Sequence, residues 1–213
     1  MIFADRAEAG HQLGEALRSH AGSDVVVLGI PRGGVVVARE VADALGAPLD
    51  VVIPRKVRAP GNPELGLGAV APGVEVLDER LINALGVTRE YLDREIADEK
   101  AEIERRSHAY REGRAPVDVK DKVAVVVDDG VATGGTAIAA VRWAKAQGAE
   151  RVILAVPVAP PSIRPRIERE ADEYVALFEP DAFYAVGQWY RSFDQVQDDV
   201  VVRTMSEAAR GRG

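Results

Sequence analysis

Residues 123–137 read Val-Ala-Val-Val-Val-Asp-Asp-Gly-Val-Ala-Thr-Gly-Gly-Thr-Ala. Val123 to Val127 is a short β-branched apolar run, the pattern of a buried strand. Asp128 and Asp129 stand where that strand should end. A Gly- and Thr-rich turn then leads into Ile138 to Gln147, which has helical composition and stops at Gly148. Small residues let consecutive backbone N–H groups converge on a phosphate, and the helix behind adds its positive end. Val131, Ala132, Thr133, Gly134, Gly135 and Thr136 form that loop, with two hydroxyl donors among them. Ionised carboxylates only accept, so the adjacent acids suit two neighbouring hydroxyls or a nearby Mg²⁺. A phosphate and a diol one turn apart describe a ribose 5-phosphate. The loop partly imitates a nucleoside-triphosphate P-loop, but the lysine that such a loop aims at the β/γ-phosphates is missing.

A second turn has the same design. Ser23 to Ile30 reads as a buried strand and Val35 to Leu45 as a helix closed by Gly46. Between them, Pro31-Arg32-Gly33-Gly34 brings a cation and free N–H groups to a helix start, a seat for a second anion. Leu49 to Pro54 is the next strand, and it delivers Arg55-Lys56 to the ligand edge of a parallel sheet.

With these residues in place, Val125 to Thr136 resembles the phosphoribosyl-pyrophosphate (PRPP) signature of type I phosphoribosyltransferases, in a form closest to the adenine enzymes. The resemblance implies that Asp128 and Asp129 hold the ribose hydroxyls and contact metal only indirectly, through those hydroxyls or water. It also implies that residues 131–136 hold the 5′-phosphate. Pro31, Arg32, Gly33 and Gly34 look like the family's pyrophosphate loop, with Arg55 and Lys56 beside it. Such loops often contain a non-proline cis peptide, which the analogy places at Pro31–Arg32. The implied reaction is Mg²⁺-dependent attack of a nitrogen acceptor, a nucleobase by analogy, on C1 of PRPP with loss of pyrophosphate. Asp128, Asp129, Arg32 and Lys56 would be its catalytic residues. The other reading is a regulator that binds PRPP or a nucleotide on the same fold without chemistry.

The remaining chain fills in an α/β, doubly wound, mostly parallel sheet of about five strands, read as one domain over 1–213. Asp5 with Glu8 gives a capping box for a first helix that runs to about Arg18, with Ala9, Leu13, Ala16 and Leu17 inward. Residues 58–68 are rich in Pro and Gly and read as a loop, in which family members keep a mobile segment; Arg58, Asn62 and Glu64 are its polar residues. A hairpin over 68–77 turns at Pro72-Gly73. The run Gly66-x-Gly68-x-x-Ala71 follows a loop, so a dinucleotide fingerprint is rejected. An inserted helical segment spans about 78–114: a short helix over 78–85, then a long charged one capped by Thr88, with Leu92, Ile96, Ile103 and Tyr110 as its stripe. Packing on the body is its expected role, and a homodimer contact the sharper alternative. Residues 151–158 and 173–177 read as strands, with a helix over 162–171 between them.

The segment from about 157 to 199 reads as a C-terminal hood. It gathers aromatic residues that are scarce elsewhere, 5% of the chain. Phe183, Val186, Trp189 and Tyr190 resemble the base-binding hood of hypoxanthine-type enzymes. Two departures weaken a hypoxanthine or guanine assignment without establishing adenine. Pro157-Val158-Ala159 stands where those enzymes carry a lysine, and Ala132 replaces an acid in the phosphate loop.

Composition narrows the classes further. Net charge is −7, against a general nucleic-acid surface, and the absence of cysteine rules out disulfides and thiol chemistry. His11, His20 and His108 are too scattered for a histidine metal cluster. No apolar run approaches the ~20 residues of a membrane span. The start has no basic and apolar leader pattern, so the expectation is a cytoplasmic protein.

Overall fold

The computed structural model describes residues 2–22 and 24–211. Its elements are α1 (Arg6–Ala16), β1 (Val25–Gly29), α2 (Gly33–Leu45), β2 (Leu49–Val51), β3 (Arg55–Ala59), β4 (Asn62–Ala71) and β5 (Val74–Leu77). They continue with α3 (Glu79–Ala84), α4 (Arg89–Arg111), β6 (Val123–Val127), α5 (Gly135–Ala146), β7 (Arg151–Val158), α6 (Arg164–Ile167), β8 (Glu173–Phe178) and α7 (Asp198–Arg210). Ser23, where the first strand was expected to start, lies outside the described residues.

Five strands form one parallel sheet in the order β2-β1-β6-β7-β8. Both faces are covered, which is why β1 and β6 read as continuous apolar runs rather than alternating ones. Val25, Val27, Val125, Val127 and Ile153 pack toward α1, α2, α4 and α7. Val26, Leu28, Ala124, Val126, Val152 and Leu154 pack toward α5 and Ile167 of α6. Each valine, leucine or isoleucine among them, fully buried, stabilises the fold by about 1.5–3 kcal/mol against leaving it exposed. The winding runs outward from β1 to β2 on one side and from β6 through β7 to β8 on the other. The direction therefore reverses between β1 and β6, and the turns leaving these two strands lie side by side.

Several expectations are corrected. Residues 58–68 are not a loop, because β3, β4 and β5 make a separate antiparallel sheet. Pro60-Gly61 is a second Pro-Gly turn joining paired Ala59 and Asn62, with Gly61 at φ 72° as the third position of a type II turn requires. Arg55 and Lys56 consequently belong to β3 rather than to the end of β2. The helix expected over 162–171 is a 3₁₀ turn over Pro161–Ile163 followed by the four residues of α6, with prolines confined to first turns where no N–H is needed. Ala16 is exposed, and Gly10 and Gly14 join Ala9 and Leu13 on the buried face of α1. Asp5 caps α1, while Glu8 reaches the N–H of Ala4 instead of Asp5. The amphipathic α7 was not foreseen; Val201 and Met205 bury it against the sheet. The two inserted helices lie where expected, capped by Asp78 and Thr88, and the stripe of α4 is buried. No helix among the described residues is long and apolar enough to cross a membrane.

Candidate active site

The two adjacent turns meet in direct contact. A Cβ on Gly34 would come within 2.8 Å of Asp128 Cα and of the Val127 carbonyl. One on Gly33 would fall on Asp129 Oδ2 and within 2.7 Å of Arg6 Nε. The diglycine thus makes room for the acid pair. The Pro31–Arg32 peptide is cis. Arg32 is half-buried, with Nη1 3.8 Å from Asp198 Oδ1 at the start of α7. Asp198 also accepts from the Tyr110 hydroxyl at 2.6 Å, so α4 and α7 both bear on this turn.

Asp128 Oδ1 accepts from the N–H of Asp129 at 2.8 Å. Asp129 Oδ2 accepts from Arg6 Nε at 2.7 Å, and the Asp129 carbonyl accepts from the Tyr190 hydroxyl at 2.5 Å. Among the described residues no N–H or hydroxyl of another residue donates to Asp128 Oδ2 or Asp129 Oδ1, and the two carboxyls contact each other, a contact that ligand hydroxyls would replace so that each acid offers one oxygen. Burial, and then the charge of Asp129, hold the Asp128 carboxyl well above its ordinary value. Burial also raises Asp129, with Arg6 opposing it. Both shifts run in the direction expected of two close carboxyls in a desolvated site, which resists carrying two negative charges.

In the loop after β6, Gly134 takes the left-handed conformation at φ 82° and precedes α5, which starts at Gly135, three residues earlier than expected. Among the described residues, no backbone carbonyl accepts from the N–H groups of Ala132, Thr133, Gly135 or Thr136. Val131 differs from its expected role. Its side chain is in the core and its N–H donates to the Val158 carbonyl at 3.0 Å, so that N–H is not free for a phosphate. Arg166, which the sequence reading missed, donates to the Thr133 carbonyl at 3.2 Å. It lines a cleft of ≈ 300 Å³ together with Lys56, Thr133, Gly135 and Thr136.

Arg55 and Lys56 part company because neighbouring strand residues point to opposite faces. Lys56 enters the cleft and donates to the Glu64 carbonyl at 3.0 Å. Arg55 turns to α4, where Nε donates to Glu99 Oε2 at 2.6 Å. Glu99 is buried and is also bound by Arg58, which irregular β3–β4 register at Arg58 brings to the same side. Arg55 is thus neutralised away from the cleft, contrary to its expected place with the pyrophosphate ligands. A lone glutamate in a charged helix gave no sequence signal of this.

The hood is held by its own aromatic residues. Tyr190 is buried between Phe3 and Phe193, at 5.4 and 4.8 Å between ring centroids. Its hydroxyl is committed to Asp129, so it acts as a strut and offers no free face to a base. Trp189 packs edge-on against Phe178 at 5.0 Å, and Phe183 is half-buried in the same cluster. Val186 packs against the residue that follows the acids: a Cβ on Gly130 would come within 2.5 Å of its Cγ1. Tyr184, not singled out from the sequence, is the open ring here, 90% exposed.

Comparisons with known proteins bear on the family and the fold. Two proteins of Mycobacterium tuberculosis, from strains CDC 1551 and H37Rv and provisionally named phosphoribosyl transferases, are each 45% identical over 98% of the chain. The match covers 47% of those proteins, so the chain spans about half the length of these curated relatives. The crystal structure of TT1426 from Thermus thermophilus superposes with a TM-score of 0.82 at 45% identity, over 97% of this chain and 99% of that one. A family model described as a phosphoribosyl transferase domain matches residues 6–188. The chain belongs to the phosphoribosyltransferase family.

Proposed function

We propose that the chain transfers the 5-phosphoribosyl group of PRPP to a nitrogen acceptor, a nucleobase being the leading class, with release of pyrophosphate. The observation that carries this reading is the pairing, at one switch point, of two carboxylates that can each offer one oxygen with a loop whose N–H groups lack protein acceptors. A diol and a 5′-phosphate of one sugar match these two groups. Ala132, Thr133, Gly134, Gly135 and Thr136 would hold the phosphate. Arg32, Lys56 and the N–H groups of the first turn of α2 would hold the pyrophosphate. Val186, with the open ring of Tyr184, would face the acceptor.

Charge decides the chemistry. Breaking the C1–O bond leaves positive charge on the ribose and negative charge on pyrophosphate. Fixed cations and amides aimed at the departing anion lower that barrier most. Holding the sugar by its hydroxyls and its phosphate keeps C1 in line with the acceptor nitrogen.

Among the described residues no three His, Cys, Asp or Glu side chains gather to hold a metal. Asp128 and Asp129 nevertheless fit Mg²⁺, which favours one or two carboxylates completed by substrate oxygens and water. They would hold it through the ribose hydroxyls or water. Bound there, Mg²⁺ would supply Lewis-acid neutralisation of the pyrophosphate charge.

The test is pyrophosphate release from PRPP with Mg²⁺ across nucleobases and small amines, with PRPP binding followed by calorimetry. Acceptor-dependent release is expected. Tight PRPP binding without release for any acceptor would reassign the chain as a PRPP-binding regulator. Absence of PRPP binding would remove the reading.

A further inference from the structure

Arg6 is the residue at the acid pair that neither the signature nor the family model's description accounts for. Its guanidinium is fixed at three points. Nε donates to Asp129 Oδ2 at 2.7 Å, Nη1 donates to the Asp194 carbonyl at 2.9 Å, and Cζ lies 3.8 Å above the centre of the Phe193 ring. Only 11% of its side chain is exposed, so the ion pair is partly desolvated and worth more than a surface pair.

The backbone that carries Arg6 belongs to the hood as much as to α1. Phe3 N–H donates to the Trp189 carbonyl, Arg191 N–H to the Phe3 carbonyl and Ser192 N–H to the Ala4 carbonyl, at 2.8, 2.8 and 2.9 Å. Residues 3–4 thus run parallel to 189–192, joined by one isolated bridge between Phe3 and Tyr190. Asp129 is gripped twice from this corner, at its side chain by Arg6, the first residue of α1, and at its carbonyl by Tyr190 of the hood. With Oδ2 tied down, the carboxylate cannot rotate, and its other oxygen keeps a fixed direction next to Asp128.

We infer that Arg6 is the positioning residue for ribose recognition: it locks Asp129 so that one oxygen from each acid meets one hydroxyl of a cis-diol, and it ties that lock to the hood. The inference rests on the phosphoribosyl reading and adds to it the group that makes the site select a ribose over a deoxyribose. A lysine could supply the charge but not the planar fork that reaches Asp129 and Asp194 together. A glutamine could supply an amide NH₂ but no charge. The Phe193 ring holds the fork over the acid by cation–π attraction.

The test compares calorimetric binding of ribose 5-phosphate, 2-deoxyribose 5-phosphate, PRPP and pyrophosphate to the wild type, Arg6→Gln and Arg6→Lys. In the wild type, ribose 5-phosphate should bind about 10- to 100-fold more tightly than the deoxy sugar, the range for charge-assisted hydrogen bonds. In Arg6→Gln that ratio should fall toward one while pyrophosphate affinity stays within about twofold, and Arg6→Lys should fall between. An unchanged ratio in Arg6→Gln overturns the inference. Equal weakening of all four ligands with a lowered melting temperature also overturns it, since that is what a purely structural role produces. Should Arg6→Gln fail to fold, Phe193→Leu keeps every charge and must still lower the ratio. If the wild type binds neither PRPP nor ribose 5-phosphate, the phosphoribosyl reading falls first and the inference with it.

Discussion

Pro31-Arg32-Gly33-Gly34 and Ala132-Thr133-Gly134-Gly135 both end a central strand, both contain a diglycine and both open a helix. Their glycines answer different demands. At Gly33 and Gly34 a Cβ would strike the acid pair and its backbone. At Gly135 a Cβ would meet nothing within 4 Å, and Gly134 is needed for its φ of 82°. The first diglycine makes room for the protein's own acids, and the second leaves room for something that is not protein. One short motif thus serves inward packing in one place and an open anion seat in the other.

That contrast can be broken at three positions. Gly34→Ala should have the largest effect. Its Cβ meets backbone atoms that cannot rotate away, so stability should fall by about 1–3 kcal/mol, as for overpacking in a core. PRPP affinity should fall with it, by about 5- to 150-fold on the same energy scale. Urea unfolding and calorimetry would measure both. A variant with wild-type stability would mean that the two turns are not in rigid contact.

Asp128→Asn should act with opposite sign on stability and function. An acid whose pKa is raised on folding contributes most stability below its unfolded value. That contribution is lost as pH climbs from the unfolded value toward the folded one. At neutral pH the ligand-free protein therefore carries a penalty that asparagine removes. The melting temperature of the ligand-free variant should rise by about 2–4 °C for each kcal/mol recovered. The gain should vanish below about pH 4, where the unfolded chain also holds the proton. PRPP binding should be lost. A melting temperature that falls at neutral pH would show that the acid pair is not strained.

The smallest effect is expected at Gly135→Ala. Its φ is compatible with alanine and the space is open, so folding should gain about 0.4–1 kcal/mol from a stiffer unfolded chain. The methyl group would nevertheless narrow the approach to the loop N–H groups, weakening ribose 5-phosphate relative to pyrophosphate. Unchanged sugar-phosphate affinity would move the phosphate away from this turn.

The central sheet was legible because its strands are local apolar runs, and each leads into a turn whose chemistry lies within a few residues. Asp128, Asp129 and the second diglycine could be read from spacing alone. What escaped depends on partners far along the chain. Arg6 meets Asp129 across 123 residues, and Arg55 meets Glu99 across 44. Neither distance leaves a period or motif to read. The hairpin over 68–77 was read, but the ladder that precedes it over 55–68 was hidden for another reason: strand formation there rests on cross-strand pairing, while Pro60, Gly61, Pro63, Gly66 and Gly68 all argue locally for a loop. Pro60-Gly61 was the overlooked clue, the same turn signal that located Pro72-Gly73. Tyr190 shows the limit on the site itself, since a tyrosine that braces an acid and one that stacks on a base look alike in sequence.

Glu99 has a consequence for how the molecule loosens. It is buried and holds Arg55 and Arg58, while the Tyr91 hydroxyl, also on α4, donates to the Arg58 carbonyl. The hairpin that carries Lys56 to the cleft is therefore fastened to a 23-residue helix by its charges as well as its apolar contacts. Separating the two would break the ion pairs at buried Glu99, and hydrogen bonds to charged groups contribute about 1.5–3 kcal/mol each. Hairpin and helix should thus behave as one cooperative unit in local unfolding, sharing a common opening free energy. The cleft would then change shape by a shift of that whole unit, with α4 as its ballast, rather than by the swing of a free flap.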